Sequence, residues 1–474
     1  MGVGVQGYTV VVDVGKTLTK ASLWSPAGAL IEQRDRPNER IRGPGYLALD
    51  AQGIEAWLAQ SLAAFARLAP VSSIVPVAHG AAVALVRGGQ LLLPPMDYEN
   101  PLPADLRAGY DSQRDPFALT GSPALPEGLN LGAQLHCLET LHPEALGSDT
   151  LLLPWAQYWA WRLSGVAASE VTSLGCHTDL WYPARGTPSA LAVRRGWAAA
   201  LAPLRRASDC LGPLTAEWVA RTGLSPNTVV YCGLHDSNAA LLAARGFPQI
   251  ANGESTVLST GTWFVAMRTP AEPIDLAGLP ERRDCLVNVD VAGRPVPSAR
   301  FMGGREIETL TGIDTRRIDI TPDQPRLLAA VPQALADGAR VLPTFAAGSG
   351  PFPRAHGRWV RMPADEAVRR AAVGLYAALV ADVSLELIGA RGQILVEGRF
   401  AEAQVFVRAL ATLRPDWVVQ VANARNDVAY GALRLVDPAL PPAGSLTRVE
   451  PLAVDLGEFR QEWRSEAQRL EQSV

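Results

Sequence analysis

The sequence predicts an α/β protein built as two large domains. Three observations carry this: a length of 474 residues, alternating strand and helix patterns in the second half, and one glycine-tipped hairpin pattern opening each half of the chain. The composition is that of a globular protein, 48% hydrophobic and 19% charged. Formal net charge is −4, and no Lys/Arg block tracks a phosphate backbone, which excludes nucleic acid as an expected partner. The start, MGVGVQGYTVVVD, has no basic n-region or long apolar run, and Gln6 stands where a myristoylation signal needs Ser or Thr. A cytoplasmic protein without membrane attachment is expected. Five scattered cysteines without a CxxC pair predict reduced thiols, and His136-Cys137 and Cys176-His177 read as core pairs rather than metal ligands.

Along the chain, Tyr8 to Val14 is a buried-strand pattern that breaks at Gly15 and resumes from Leu18 to Trp24, a hairpin with a Gly-Lys-Thr tip. From Ser255 the device recurs: Val257-Leu258, then Ser259-Thr260-Gly261-Thr262, then an apolar run from Trp263. The tips at Gly15 and Gly261 divide the chain into nearly equal halves, the mark of a structural duplication. Domains over 1–244 and 245–474 follow. Residues 54–68 carry apolar positions at helical spacing, Ile54, Trp57, Leu58, Leu62, Phe65 and Leu68. Residues 74–78 and 81–86 read as strands around a His79-Gly80 turn. The Pro- and Gly-rich stretch 88–130 has no period and reads as a surface excursion. Residues 152–163 form an aromatic, buried, helix-compatible segment. Later come a long helix at 366–390, a strand at 394–396, a turn at Gly398, a helix at 401–413, a strand at 418–421 and a helix at 427–436, implying a largely parallel sheet.

Three segments could carry chemistry. Asp13 ends a strand and is followed by Gly15, Thr17 and Lys20; a phosphate loop needs glycine for close backbone approach, hydroxyl donors, and a carboxylate to hold Mg²⁺ or its waters. The same residues also suit a plain hairpin turn. Thr260, Gly261 and Thr262 offer hydroxyls around a glycine, again as a phosphate site or a polar turn. Asp236, after Gly233 and at the head of a small-residue helix, reads either as a general base for a hydroxyl attacking a γ-phosphoryl group or as a helix N-cap.

With these pieces in this order, the chain resembles the FGGY carbohydrate kinases. Asp13-Val14-Gly15-Lys16-Thr17-Leu18-Thr19-Lys20 is similar to the family's first phosphate motif, DxGxTxxK. Ser259-Thr260-Gly261-Thr262-Trp263 is similar to its second, and His235-Asp236 to the HD segment that supplies its base. His79-Gly80 resembles the family's Met-His-Gly turn with Ala78 in place of Met, and 153–165 resembles a shared helix, followed by Thr172-Ser173.

The resemblance implies two actin-like (ribonuclease H-like) domains with an ATP and sugar cleft between them. It gives catalysis to Asp236 and sugar contacts to His79, Gly80, His235 and Asp236. Nucleotide contacts fall to Gly15, Lys16, Thr17, Lys20, Thr260, Gly261, Thr262 and Gly398, and metal positioning to Asp13. ATP, Mg²⁺ and a small sugar are the implied partners, with a homodimer admitted. The ketoses L-rhamnulose and L-fuculose come first as acceptors because of the His-Asp and Thr-Gly-Thr-Trp segments; a ketopentose such as xylulose or ribulose, or a polyol, is the alternative. A catalytically silent nucleotide or sugar sensor and an actin- or chaperone-like ATPase stand as readings from other classes. The chain departs from the family at Val396-Glu397-Gly398-Arg399-Phe400, where one Gly replaces a Gly run, and at 348–353, where Gly-Ser-Gly-Pro-Phe-Pro replaces a GERTP-like loop.

Overall fold

A computed structural model describes residues 7–424 and 427–473; Gly2 and Gln6, on which the lipidation reading rests, lie outside them. The chain forms two compact units, one comprising 1–246, 287–295 and 426–442, the other 247–286, 296–425 and 443–474.

In the first unit, β1 (Tyr8–Val14), β2 (Leu18–Trp24), β3 (Leu30–Pro37), β4 (Val71–Ala78), β6 (Cys210–Pro213), β7 (Val229–Tyr231) and β8 (Leu234–His235) make one sheet, in which β4 is flanked by β1 on one side and by β7 and β8 on the other. The β1–β2 pair is the antiparallel hairpin expected from its interrupted apolar run. α1 (Ala51–Ala66) begins where Asp50 caps the Gly53 N–H at 2.9 Å, and its Ile54, Leu58, Leu62 and Phe65 are fully buried, each burial stabilising by about 1.5–3 kcal/mol. The aromatic segment divides into β5 (Leu151–Pro154), which pairs with the strand Val83–Arg87, and α2 (Trp155–Ser164), whose Trp155 and Trp159 are sealed in the core. α3 (Asp236–Ala244) follows β8 directly.

The stretch 88–130 differs from its reading as a surface excursion. Met96, Asp97, Tyr110, Leu125 and Asn130 are buried, and the polar ones are satisfied internally: Asn130 Nδ2 donates to the Pro123 carbonyl at 2.9 Å while its Oδ1 accepts the Leu125 N–H at 2.9 Å. Side-chain bonds here replace the periodic backbone ladders on which sequence reading depends.

The second unit repeats the device. β9 (Ser255–Thr260) pairs antiparallel with β10 (Phe264–Thr269) and parallel with β12 (Gln393–Gly398), as β1 pairs with β2 and β4. The sheet continues through β11 (Pro295–Phe301) on one side and β13 (Val418–Ala422) and β14 (Leu446–Arg448) on the other, with the strand Cys285–Val289 at its edge. It is mixed: β9, β12 and β13 are parallel and the flanking pairs antiparallel. α4 (Glu366–Leu387) is apolar on nearly all sides and runs through the core, α5 (Gln404–Leu413) packs against it, and α6 (Gly457–Gln472) closes the chain.

The units do not coincide with the continuous halves read from the sequence. The helix Val428–Val436 belongs to the first unit because Gly431 packs on α3 so closely that a Cβ there would lie 1.8 Å from the Ala239 carbonyl.

In the second unit, Asp382 of α4 is fully buried and meets three guanidinium groups: Arg460 at 2.8 and 2.9 Å, Arg464 at 2.7 Å and Arg414 at 2.5 Å. Removing the carboxylate strands half-buried cations, so Asp382→Ala should destabilise the protein by about 3–5 kcal/mol, measured by denaturant unfolding, with Asp382→Asn recovering only part of the loss.

Candidate active site

Three neighbouring parallel strands of the first unit end at one level. In the β1–β4 register Val14 faces Ala78, and in the β4–β8 register Ala78 faces His235. The next residues, Gly15, His79 and Asp236, therefore emerge together at the carboxyl ends of the strands, where open α/β sheets bind ligands. Gly233 makes this possible: its φ is +76°, and a Cβ would lie 2.0 Å from the Pro76 carbonyl, so only glycine lets β8 re-enter beside β4.

The turn after Asp13 is tightly tied. Gly15 N–H donates to the Leu18 carbonyl at 3.1 Å, and Asn38 braces the tip by donating Nδ2 to the Gly15 carbonyl at 2.7 Å and accepting the Thr19 hydroxyl at 2.8 Å. Thr17 is exposed at the tip. Lys16 turns to Asp97, with Glu99 at 3.6 Å and the Tyr98 ring centroid 4.8 Å away. Its charge is thus already compensated by carboxylates, whereas Lys20 stands across the hairpin from Asp13 in register.

Asp13 is pushed up to about 7, first by burial and then by the carboxylates of Asp236 and Asp427, with Lys20 opposing. Asp427 reaches this neighbourhood as the N-cap of the Val428–Val436 helix, accepting from Ala429 and Tyr430 at 3.1 and 3.2 Å. Hard oxygens in mutual repulsion, only partly offset by Lys20, suit a divalent cation. Among the described residues no three His, Cys, Asp or Glu side chains converge to cage one. One or two carboxylate oxygens are what Mg²⁺ takes when it keeps several waters and binds together with substrate phosphates, and Asp13 is the residue here that could supply one.

Asp236 opens α3 with its side chain 30% exposed. Its Oδ1 accepts Ser237 N–H at 2.5 Å and the Ser237 hydroxyl at 3.2 Å, and His235 Nε2 is 3.1 Å away. His235 is buried, its backbone N–H donating to Thr172 Oγ1 at 3.0 Å while that hydroxyl donates to the fully buried Glu170 at 2.6 Å. Burial lowers the His235 ring below the usual histidine range against the pull of Asp236, and burial also pushes Glu170 up to about 7.

His79 is buried with both ring nitrogens unpartnered among the described residues. Burial above all, with Lys16 and His235, brings it down to about 4 despite Asp236 and Asp97. A neutral imidazole offers one donor and one acceptor, the pair that a hydroxyl can satisfy. Tyr98 meets it edge-on at 5.5 Å. Gly80 leaves no room for a side chain, since a Cβ would lie 2.7 Å from Cys176 Sγ.

In the second unit, Thr260 braces the turn: its hydroxyl donates to the Glu397 carbonyl at 2.5 Å and accepts the Phe400 N–H at 3.1 Å. Gly261 N–H donates to the Trp263 carbonyl at 2.9 Å, and Thr262 is exposed. Gly398, at φ +86°, passes so close that a Cβ would lie 2.2 Å from the Thr260 carbonyl. Beside Phe400 is a small, largely apolar cavity of about 60 Å³, walled by Ile307, Ile313, Phe400, Ala403, Val405 and Phe406. Its polar liners are committed elsewhere: Thr311 donates to the Ile307 carbonyl at 2.7 Å, and Gln324 donates to Ile320 at 2.8 Å while accepting from Gln404 at 2.7 Å.

The structure thus brings Asp13, Gly15, Lys20, His79, Gly80, His235 and Asp236 together within one unit, and Thr260, Gly261 and Gly398 within the other. Sequence reading missed Asp97 and Tyr98, which lie in the stretch taken for surface, and Asp427, which lies almost two hundred positions beyond Asp236. An acidic pair flanking tyrosine inside a Pro-rich stretch was the available signal for the first two; nothing local marks the third.

A family model described as "Carbohydrate kinase FGGY, C-terminal domain" matches residues 252–443. The chain is 59% identical to a solved carbohydrate kinase from Novosphingobium aromaticivorans, with 97% of this chain and 100% of that one covered and a TM-score of 0.93. Xylulose kinase from Rhodospirillum rubrum is similar in fold, at 19% identity, 98% coverage of each chain and TM-score 0.78. So is Plasmodium falciparum glycerol kinase with ADP, at 12% identity, 98% coverage of each chain and TM-score 0.78. No curated protein matches the chain.

Because the Asp13 carboxyl is raised from 3.8 to about 7, the folded protein holds a proton that the unfolded chain has lost between those values. Stability should therefore fall as pH rises from about 4 to 7. Asp13→Asn should flatten that slope, as read from denaturant midpoints across the window; an unchanged slope would contradict the assigned ionisation.

Proposed function

Since the chain belongs to the FGGY carbohydrate kinases, we propose that it phosphorylates a ketose hydroxyl from MgATP, with Asp236 as the base. The protein is a sugar kinase of two actin-like α/β units, and sugar kinases of this family use ATP. Among the described residues no helix is long and apolar enough to cross a membrane. The observation that carries the finer reading is the common level at which β1, β4 and β8 end, with Gly15, His79 and Asp236 as the next residues and Asp13 one residue inside the end of β1.

In this reading the first unit takes the sugar. His79 and His235, both held neutral by burial, exchange hydrogen bonds with its hydroxyls, while Gly80 keeps the wall of the site flat. Asp236 accepts the proton of the attacking hydroxyl, which raises its nucleophilicity as the phosphoryl group departs from ADP. Asp13 would hold the metal, and Gly15, Thr17 and Lys20 would face the phosphates. Lys16 serves instead through Asp97, fixing the loop that carries Tyr98 against His79. Bound with the nucleotide, Mg²⁺ supplies neutralisation of phosphate charge.

The second unit takes the nucleotide. The turn at Thr260, Gly261 and Thr262 addresses phosphate oxygens, with Thr260 as its brace and Gly398 crossing close beside it. Arg399 and Phe400 replace the small residues of the family's Gly run, so recognition there rests on shape more than on backbone contacts.

L-Rhamnulose and L-fuculose are the first acceptors by virtue of His235-Asp236 and the Thr-Gly-Thr-Trp segment. A ketopentose is the second reading, favoured by the unpartnered nitrogens of His79 in a turn similar to that of xylulokinases. A coupled ADP-release assay over ketoses, polyols and aldoses decides between them. With the best acceptor, Asp236→Asn should lower turnover by about two to four orders of magnitude; near-native turnover would remove Asp236 from the role, and ADP release independent of any sugar would remove the kinase mechanism proposed.

A further inference from the structure

Asn238, 1% exposed, lies two residues beyond Asp236 on α3 and points its amide at the neighbouring histidine. Its Nδ2 is 3.3 Å from His235 Nδ1, while Nε2 of the same ring lies 3.1 Å from Asp236 Oδ1 and 3.3 Å from Cys176 Sγ. In a neutral imidazole one nitrogen donates and the other accepts. A carboxylate oxygen at 3.1 Å repels a lone pair and attracts an N–H, so the proton belongs on Nε2. Nδ1 is then an acceptor, and the Asn238 NH₂ is the group that satisfies it. Reversing the amide would set Oδ1 against a lone pair. The same NH₂ opposes a second ring proton, which agrees with the lowering of His235 by burial.

We propose that Asn238 is a positioning residue for phosphoryl transfer: it locks His235 in the neutral Nε2–H form, so that a ring N–H rather than a lone pair faces Oδ1 of Asp236, which Ser237 holds, and Oδ2 takes the substrate proton. The two Ser237 donors, at 2.5 and 3.2 Å, fall on that same Oδ1. Loading one oxygen fixes the carboxylate plane and leaves the basicity on the other. Second partners of this kind fix a ring's tautomer and orientation in metal sites by the same physics. The inference rests on the assignment of Asp236 as the base.

The full-length enzyme labelled with ¹⁵N-histidine reports the tautomer directly, with the His235 signals identified by their loss in His235→Gln. The wild-type ring should show the Nε2–H pattern in the absence of substrate. Asn238→Asp, whose carboxylate accepts from Nδ1, should move it to the Nδ1–H or doubly protonated form, and Asn238→Leu should release the fixed tautomer. Both should lower kcat about 10- to 100-fold with KM for MgATP changed less than about twofold, and thermal melts of each variant separate this loss from unfolding. A wild-type ring in the Nδ1–H form overturns the proposal. So does wild-type kcat in folded Asn238→Leu and Asn238→Asp. The tautomer is read without substrate, so failure of the base assignment, which Asp236→Asn reports, is distinguishable from failure of the lock.

Discussion

The register of β4 against its two parallel neighbours is the constraint on which the candidate site depends. Parallel ladders fix which residues stand level, and a slip of one residue would turn every side chain to the opposite face. Val14, Ala78 and His235 are level, so a buried carboxylate, an unpartnered histidine and a candidate base share one edge although they lie at positions 13, 79 and 236. Two glycines enforce this arrangement. Gly233 brings β8 back against Pro76, and Gly80 lets the turn after β4 pass beneath Cys176 and His235. The site is thus made by backbone approach before any side chain contributes to it.

Charge is then concentrated at that edge. Asp13 faces Asp236 and Asp427 with Lys20 as its counterweight, while Lys16 is neutralised by Asp97 and Glu99. A fold that spends one lysine on a structural pair and leaves carboxylates in mutual repulsion stores an electrostatic cost that cation binding relieves. Perturbed acids collected in this way are characteristic of functional sites. The buried layer below is polar too, running from Glu170 through Thr172 to the backbone of His235, so the histidine is fixed from beneath as well as from its own helix.

The second unit uses the same sheet logic with a different turn. β9 stands between an antiparallel partner and the parallel β12, as β1 stands between β2 and β4. Its turn carries no carboxylate. Thr260 knits the ends of β9 and β12 together, and Gly398 passes close against its backbone. A duplicated frame has therefore diverged in its tips, one acidic and one hydroxyl-bearing.

Sequence alone determined the hairpins, the core helices and the loops at Asp13, Gly261 and Asp236, because apolar periodicity and glycine placement are local signals that survive without coordinates. It also carried the kinase resemblance, through short motifs whose order along the chain is itself information. Tertiary structure decided what depends on contact between distant positions. The return of 426–442 to the first unit hangs on one glycine against Ala239, the burial of Asp97 and Asn130 on side-chain bonds without period, and the turning of Lys16 to a carboxylate on a partner eighty residues off. The Asp13-to-Thr17 segment could be found by pattern; whether its lysine faces phosphate or carboxylate is fixed only by what folds beside it.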